Sequence, residues 1–488
     1  MNKMENYFRK FRNNIVGIDK DFKSPFGTKI IIYSDWIASG RLYHPIEAKL
    51  LEIGELLGNT HTETTVTGKT MTQLYNLAKK NIKNHVNASQ DDILIASGAG
   101  MTGVVNKFQR ILGLKVHEKF KHKISFDEKE RPIVFITHME HHSNQTSWLE
   151  TICDVELINP DEKGYVDIEH FKELLEKYKD RPVKIASITH CSNVTGIQVP
   201  VHQIAKLIHK TGGYCFVDYA CSAPYTDIDM HPEDKEERLD AIYFSPHKFL
   251  GGPGSSGVLV FHSSLYNNKV PDNPGGGTVD WTNPWGDHKY HDDIELKEDG
   301  GTPPFLQTIK AALAIKLKEE MGVENIMKRE EELIDRVWDR FLEIKNLHLL
   351  AEKSKDRLGV FSFYIDGLHY NLGVKLLNDR FGIQTRGGCS CAGTYGHYLL
   401  NIDEKKSHEI TEKINQGKIS FRPGWIRMSI HPTLSNDEVD TIMSAIEDLA
   451  QNFEEWSKDY KYDEETNEFF HNKCEEINSD LLLGWFDN

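Results

Sequence analysis

The chain has 488 residues, which is enough for two or more domains with full hydrophobic cores. Its apolar fraction of 39% and charged fraction of 27% are those of an ordinary soluble protein rather than a disordered or fibrous one. The net charge of -16 argues against nucleic acid or an anionic membrane as a partner, because such partners select basic faces.

The cysteines and the first residues bear on where the protein works. The 7 cysteines are an odd number and most lie in apolar segments, so we expect free thiols in a reducing cytoplasm. The opening stretch MNKMENYFRKFRNN is polar and lacks the apolar region of a secretory signal. No window approaches the roughly 18 uninterrupted apolar residues of a membrane-spanning helix.

The N-terminal part shows no regular alternation of elements. Residues 1–30 are predicted to form a short helix and a loop, and Ile30–Tyr33 a short strand. Apolar residues at helical spacing predict helices over Pro45–Leu57 and Thr70–Val86.

From Asp91 onward, strand patterns alternate with helical patterns. The predicted strands are Ile93–Ala96, Ile133–Thr137, Val183–Thr189, Tyr214–Val217, Ala241–Phe244 and Val258–Phe261, with helices such as Val104–Leu114 and Val201–His209 between them. This alternation predicts an α/β fold with a mostly parallel sheet. Sites in such sheets lie beyond the carboxyl ends of the strands, and polar clusters follow the strand ends here.

The C-terminal part predicts a smaller domain of mixed helices and strands. The predicted elements are a helix over Phe305–Met321, a charged and partly exposed helix over Glu324–Lys345, strands at Gly359–Ile365 and Ile426–Ile430, and a capped helix over Asn436–Ala450. The tail after Glu454 is acidic and aromatic.

Lys248 lies between the strand patterns Ala241–Phe244 and Val258–Phe261 and is followed by glycines. A lysine at the centre of a domain is costly to bury as a cation. It is tolerated where it reacts with an aldehyde cofactor as a Schiff base. A solvated lysine in a surface turn is the alternative.

Three polar residues at other strand ends each allow two interpretations. Asp218 can hold a proton on a pyridine nitrogen or cap a helix. His141 can stack on a planar ring and move protons, or lie on the surface. Asn193 can hydrogen-bond a ring oxygen or a carboxylate, or stabilise a turn.

The anion-binding candidates are a glycine-rich turn and an arginine. The turn SGAGMTG, residues 97–103, precedes a helix and can hold a phosphate on its amides, or serve only as a turn. Arg427 lies in an otherwise apolar strand and needs an anionic partner if buried, either a substrate carboxylate or a structural Asp or Glu.

Cys389 and Cys391 lie in a glycine-rich loop that begins at Arg386. The nearby guanidinium favours the thiolate form, which is the nucleophile. Zinc is disfavoured, because the C-x-C pair lacks a second ligand pair at usable spacing. Two ordinary loop cysteines are the alternative.

Taken together, these residues resemble the fold-type I pyridoxal phosphate (PLP) enzymes of the class V aminotransferase family, and within it the cysteine desulfurases and selenocysteine lyases. The resemblance extends from about Tyr33 to Ala450. It is strongest at MEHHSN, SNVTG and FSPHKFLGGPG, which begin at residues 139, 192 and 244, and at Arg386–Ala392.

The resemblance implies a fold and a domain order. The fold would be a large PLP-binding domain with a mostly parallel, seven-stranded sheet flanked by helices, followed by a smaller α+β domain. The domains would be an N-terminal segment packing on the small domain (1–44), the large domain (45–310), the small domain (311–455) and an acidic extension (456–488). A homodimer is implied as well.

The resemblance also implies the cofactor contacts. Lys248 would bind PLP as a Schiff base and act as the proton-transfer base, Asp218 would pair with the pyridinium nitrogen, and His141 would stack on the ring. The phosphate would contact the remaining cofactor residues: Gly100, Met101, Thr102, Ser245, His247 and, from the partner subunit, Thr278.

On the substrate side, Asn193 and Arg427 would orient an amino acid such as L-cysteine, with Arg427 on its α-carboxylate. His61 and Arg386 would lie near the substrate. Cys391 would take the sulfur as a persulfide, leaving alanine, and pass it to a protein acceptor.

The sequence departs from the family pattern at named positions. Cys221 replaces the glutamine that contacts the cofactor, Met101 replaces a threonine, and Cys389 is an additional thiol. These departures leave another reaction open: an aminotransferase, epimerase or C–S lyase acting on another amino acid. A scaffold that kept the fold and lost activity is the third interpretation, which Lys248, Asp218 and His141 disfavour.

Overall fold

The structure is a computed structural model that describes residues 3–125, 127–473 and 484–486. Part of the predicted acidic extension, residues 474–483 with Cys474 and residues 487–488, lies outside the described residues. Within the described part, no helix has both the length and the apolar character needed to cross a membrane.

The N-terminal part links the two domains. Its elements are α1 (Lys3–Arg12), β1 (Asp21–Ser24), β2 (Gly27–Ile30), β3 (Ile32–Tyr33), α2 (His44–Gly54) and α3 (Val66–His85). The loop predicted after the first helix is wrong in part, because β1 and β2 form an antiparallel hairpin. Both strands are largely exposed and carry few apolar residues, so no alternating pattern announces them.

The predicted mostly parallel sheet is confirmed, with seven strands in the order β4-β10-β9-β8-β7-β5-β6. Its strands are β4 (Asp92–Ser97), β5 (Ile133–Thr137), β6 (Asp154–Ile158), β7 (Lys184–Thr189), β8 (Tyr214–Asp218), β9 (Ala241–Phe244) and β10 (Gly257–His262). Strand β10 pairs antiparallel with both of its neighbours, β4 and β9, so its direction opposes that of the other strands. The register sets Thr189 opposite Asp218 and Asp218 opposite Tyr243, so the polar segments after these strands begin level with one another.

Helices cover both faces of this sheet. They include α4 (Met101–Ile111), α6 (His142–Leu149), α7 (Ile168–Lys177) and α8 (Val201–His209), while the short helix α5 (Glu118–Lys121) is exposed to solvent. Strand β5 is buried on both sides, with Ile133 and Phe135 in one core cluster and Val134 and Ile136 in another. Burial on both faces explains the continuous apolar runs of the central strands.

The small domain is built on a four-stranded sheet. The hairpin β11 (Val279–Thr282) and β12 (His288–Tyr290), α9 (Ile294–Glu298) and α10 (Phe305–Met321) precede it, and the buried side chains of α10 belong to the core of the large domain. Then follow α11 (Val323–Glu343), β13 (Leu347–Leu349), β14 (Val360–Ile365), α12 (Tyr370–Phe381), β15 (Ile383–Gln384), β16 (Arg386–Gly388), α13 (Gly393–Leu399), α14 (Glu404–Asn415), β17 (Trp425–Ser429) and α15 (Asn436–Trp456). The sheet order is β13-β14-β17-β16, and β3 pairs in parallel with β15. The N-terminal chain is thereby anchored beside the strands that hold Arg386 and Arg427.

The described part of the C-terminal tail packs on the small domain. Strands β18 (Tyr460–Asp463) and β19 (Glu468–His471) form a hairpin. The Tyr460 hydroxyl donates to Asp379 over 2.9 Å, which fastens the hairpin to α12.

Helix α11 is less exposed than its charge predicts. Arg329 is fully buried and donates to the Leu434 carbonyl over 3.0 Å. Glu330 is buried and accepts from the Gly359 amide over 3.2 Å, while its second oxygen has no partner among the described residues. Burial raises the pKa of Glu330 to about 8.

Replacing Glu330 with glutamine is expected to flatten the dependence of stability on pH. The folded state keeps the proton up to pH about 8, whereas the unfolded chain releases it near 4.5. Glu330 binds a proton in the folded state but not in the unfolded state within this window. Its contribution to the free energy of unfolding therefore falls as pH rises, by about 1.4 kcal/mol per pH unit. Urea unfolding at both ends of the window measures the slope. Glu331→Gln, at an exposed neighbour, is the control, and equal slopes in wild type and Glu330→Gln would contradict the prediction.

Candidate functional site

The carboxyl ends of the parallel strands open into one cavity of about 280 Å³. Segments of the large sheet and of the small domain meet there, as the rule for parallel sheets predicts. Most side chains predicted from the sequence line it: Met101, Thr102, His141, Asn193, Asp218, Cys221, Ser245, His247, Lys248, Arg386, Cys391 and Arg427.

Lys248 lies in a 3₁₀ turn, Pro246–Lys248, directly after β9. The backbone of this turn packs closely on Gly40. A Cβ atom on Gly40 would lie 1.9 Å from the Phe249 carbonyl oxygen, so a larger residue would force the turn to move. This glycine therefore allows the N-terminal segment to hold the lysine turn in place.

Asp218 and Cys221 lie close to Lys248 in the cavity. Burial lowers the pKa of Lys248, and the two acidic groups partly offset that shift. Burial raises the pKa of Asp218 to about 6. A hydrogen bond from the Ala220 amide at 2.8 Å and the charge of Lys248 act in the opposite direction and lower this pKa. A turn follows Asp218, so it does not cap a helix. The neutral, nucleophilic amine is more populated at Lys248 than at a surface lysine.

Cys221 pairs with a second thiol, Cys191, which also lines the cavity. The neighbouring Cys191 thiol lowers the pKa of Cys221, and burial raises the pKa of Cys191. The Cys191 thiol itself donates to the Ser192 carbonyl over 3.6 Å. Cys191 is not among the site residues predicted from the sequence, although it lies in the polar segment after β7.

The N-terminus of α4 faces Ser245 and His247. The Met101 amide donates to Ser245 Oγ over 2.8 Å, and the Met101 side chain is buried in the core. A Cβ atom on Gly100 would lie 3.0 Å from Ser245 Oγ and 3.6 Å from the His247 ring. Together with the Thr102 hydroxyl, these groups form a small concave site at a helix N-terminus, where anions bind favourably.

His141 caps α6 and lines the same cavity. Its Nδ1 accepts from the Ser143 amide over 3.1 Å, which places the ring proton on Nε2. Burial lowers the pKa of His141 to about 3, and the charge of Lys248 acts in the same direction. The ring is therefore neutral at neutral pH.

Two arginines face each other at the side of the small domain. The pairing of β16 with β17 sets Arg386 directly opposite Arg427, where like charges repel. Asp35 lies between them. Its Oδ1 accepts from Arg427 Nη2 over 2.8 Å, and its Oδ2 accepts from Arg386 Nε over 2.9 Å. Asp35 is not among the site residues predicted from the sequence, although it follows a short strand as the other site residues do.

Two buried polar atoms at the cavity lack partners among the described residues: Asn193 Oδ1 and Arg427 Nε. The other atoms of these groups are engaged. Asn193 Nδ2 donates to the Ser390 carbonyl over 2.7 Å, and Arg427 Nη1 donates to the Asn193 carbonyl over 3.2 Å. Buried polar atoms are nearly always paired, so these two indicate where a polar ligand belongs.

Cys391 is exposed and lines the cavity, whereas Cys389 is half-buried and does not. Ser390 and Cys391 have φ values of 52° and 56°, a left-handed conformation that is costly for residues other than glycine. The His142 amide donates to the Cys391 carbonyl over 2.7 Å. The large domain thus holds this strained loop with Cys391 at the cavity.

His61 and Thr278 do not join the cavity of their own chain. They lie near each other, since His61 Nε2 is 3.7 Å from the position of a Cβ atom on Gly277. The Thr278 hydroxyl is buried and donates to the Gly275 carbonyl over 2.6 Å. Within one chain it therefore does not contact the predicted phosphate site.

Comparisons with known proteins match this architecture. The family described as "Aminotransferase class-V" matches residues 32–442. A cysteine desulfurase of Haloferax volcanii is 32% identical over 262 residues, which are 53% of this chain and 59% of that protein. A probable cysteine desulfurase of Pyrococcus abyssi is 26% identical over 439 residues, or 87% of this chain and 95% of that protein.

Solved structures show the same fold. The apo structure of a cysteine desulfurase from Thermococcus onnurineus matches with a TM-score of 0.72 at 22% identity, covering 91% of this chain and 98% of that one. A cysteine desulfurase from Escherichia coli matches with a TM-score of 0.70 at 19% identity, with the same coverage of 91% and 98%. The fold expected from the sequence is confirmed.

Proposed function

This chain belongs to the class V aminotransferase family, and from that premise we propose that it is a PLP-dependent cysteine desulfurase. It removes sulfur from L-cysteine, releases alanine and holds the sulfur as a persulfide on Cys391. One observation carries the proposal: the Cys391 thiol lines the same cavity as Lys248, Asp218 and His141. Transamination and epimerisation need Lys248 and the contacts of Asp218 and His141 with the PLP ring. Neither reaction uses a thiol at the position of Cys391.

The residues of the cavity fit PLP at several points. Lys248 would supply an amine for the aldehyde, and Asp218 in the same cavity would pair with a ring nitrogen. The helix N-terminus beside Ser245 suits the phosphate. Asn193 Oδ1 has no hydrogen-bond partner among the described residues, and the ring of His141 is neutral. The cavity therefore suits a polar, planar ligand.

When bound, PLP supplies an aldehyde that links to amines and a ring that takes up electrons from the substrate Cα atom. Side chains of the protein transfer the proton, bind the substrate and accept the sulfur. The Lys248 amine moves the proton at the substrate Cα atom. The Arg427 guanidinium binds the α-carboxylate, and Asp218 holds the proton on the ring nitrogen. The Cys391 thiolate attacks the substrate sulfur: an S–S bond forms as the substrate Cβ–S bond breaks, the electron pair stays with the carbon skeleton, and protonation of Cβ gives the methyl group of alanine.

Two chains are proposed to form a homodimer through the segments around α2, α3 and the β11–β12 hairpin. Large apolar side chains are exposed there, including Leu51 (77%), Val66 (72%) and Trp285 (84%). Such exposure is typical of an interface. The same segments hold His61 and Thr278, which would then lie at the partner's cavity. Sedimentation equilibrium should give twice the chain mass of 56.0 kDa, and the mass of one chain would overturn the dimer.

The persulfide has to leave Cys391 for an acceptor thiol. Because Cys391 is exposed at the cavity mouth, a protein acceptor can reach it. The chemistry needs Cys391 as a free thiol, so we place the protein in a reducing compartment, the cytoplasm.

The test is an absorption spectrum of the PLP-loaded protein before and after addition of L-cysteine with a thiol reductant, with assays for alanine and sulfide. We expect both products, formed in equal amounts over many turnovers. L-Serine, which has a hydroxyl in place of the thiol, is the control substrate and should give neither. Bound cofactor with no product from L-cysteine would move the reaction to another amino acid.

A further inference from the structure

Asp35 separates the two facing arginines at the cavity, and no step of the proposed reaction uses it. We infer that Asp35 sets the charge selectivity of the site: it makes the cavity prefer an amino acid whose α-carboxylate is its only anionic group. The inference deepens the proposed function and rests on it for the identity of the cavity. Asp35 acts through the arginines, so it is a positioning residue.

The contacts of Asp35 use both of its oxygens. Arg386 donates to Oδ2 from Nε at 2.9 Å and from Nη2 at 2.8 Å, and Arg427 donates to Oδ1 at 2.8 Å. The side chains of Asp35 and Arg427 are only 10% and 4% exposed, whereas that of Arg386 is 52% exposed. The Asp35–Arg427 contact is therefore shielded from water and from salt, and the Arg386 side chain is open to a ligand.

The backbone around Asp35 is fastened to the strand that carries Arg427. The Ser429 amide donates to the Ser34 carbonyl over 2.7 Å, and the Ile37 amide donates to Ser429 Oγ over 3.1 Å. Residues on both sides of Asp35 are thus tied to β17. The backbone on both sides of Asp35 and its carboxylate, through Arg386 and Arg427, are thus both held in the site.

The charges at this place can be counted. Arg386 and Arg427 each carry one positive charge at any accessible pH, and Asp35 carries one negative charge. The cluster therefore has one net positive charge, which one carboxylate neutralises. A second carboxylate on the ligand would find both guanidinium groups already paired and would lie near the Asp35 oxygens.

The test compares butyrate with succinate, which have the same carbon chain but one and two carboxylates. Their dissociation constants are measured by thermal-shift titration of the PLP-loaded enzyme at constant ionic strength. Asp35→Asn keeps the size of the side chain and removes its charge. We expect it to raise the affinity for succinate relative to butyrate by about tenfold, since the cluster gains a positive charge. An unchanged succinate-to-butyrate ratio would overturn the inference.

A second pair of variants keeps the test decisive if Asp35→Asn fails to fold. Arg386→Gln leaves the cluster neutral, so the ratio should move in the opposite direction. The double variant Asp35→Asn/Arg386→Gln restores one net positive charge and should return the ratio close to that of wild type. A role of Asp35 in structure alone predicts no such dependence on net charge, and a ratio unmoved by Arg386→Gln would also overturn the inference.

The chain offers a matched control in Asp440, which pairs with Arg336 and Arg340 on the exposed side of the small domain. Asp440→Asn removes the same charge from a similar pair of arginines away from the cavity. It should leave the ratio unchanged, and a shift equal to that of Asp35→Asn would show a general charge effect. Because binding is measured, failure of this inference is distinct from failure to release sulfide from L-cysteine.

Discussion

Replacing Lys248 with alanine is expected to abolish covalent attachment of PLP and to reduce alanine formation from L-cysteine by at least about 1000-fold. The amine both links to the cofactor and moves the proton at the substrate Cα atom, so no other group replaces it. Burial lowers the pKa of Lys248, which favours the neutral amine that forms the link. The visible spectrum and the intact mass after borohydride reduction measure attachment directly.

Lys318→Met is the matched control. Lys318 is also buried, with a pKa lowered by burial to about 7, but it does not line the cavity. Its ammonium donates to the Thr226 carbonyl, so the variant tests whether loss of any buried lysine has the same effect. Lys318→Met should keep the cofactor mass. Retention of that mass in Lys248→Ala would show that another residue forms the link.

Much of the large domain could be predicted from the sequence because its signals are local. The strand at Ile133–Thr137 and the helix at Val201–His209 have the bounds that the patterns predict. Buried parallel strands are short apolar runs, and each is followed by the polar residues that the site uses. Lys248 and Asp218 were found in this way.

The features of the fold and the site that could not be predicted lack a local signal in the sequence or depend on contacts between distant segments. Asp35 is recognisable only once β3 pairs with β15 and brings it between Arg386 and Arg427. The exposed hairpin β1–β2 has no apolar face to reveal it. The buried Glu330 resembles its exposed neighbours in sequence, because helix periodicity reports apolar faces and not single buried acids.

Replacing Cys391 with serine is expected to stop persulfide formation and to lower sulfide release from L-cysteine by at least about 100-fold. A serine hydroxyl has nearly the same size as the thiol, so the strained loop and the hydrogen bond from the His142 amide to the carbonyl of residue 391 should persist. Serine, however, is a far weaker nucleophile towards sulfur. Binding of PLP should be unaffected, since Lys248 and the anion-binding turn are unchanged. Persulfide is measured by alkylation and peptide mass after incubation with L-cysteine.

Cys389→Ser is the matched control, because Cys389 lies two positions away in the same loop but outside the cavity. It should retain the persulfide on Cys391 and most of the sulfide release. Loss of the persulfide in Cys389→Ser, with Cys391→Ser still active, would exchange the two roles. If both variants kept full activity, the thiols of this loop would not carry the sulfur, and the enzyme would act as a lyase that releases it directly.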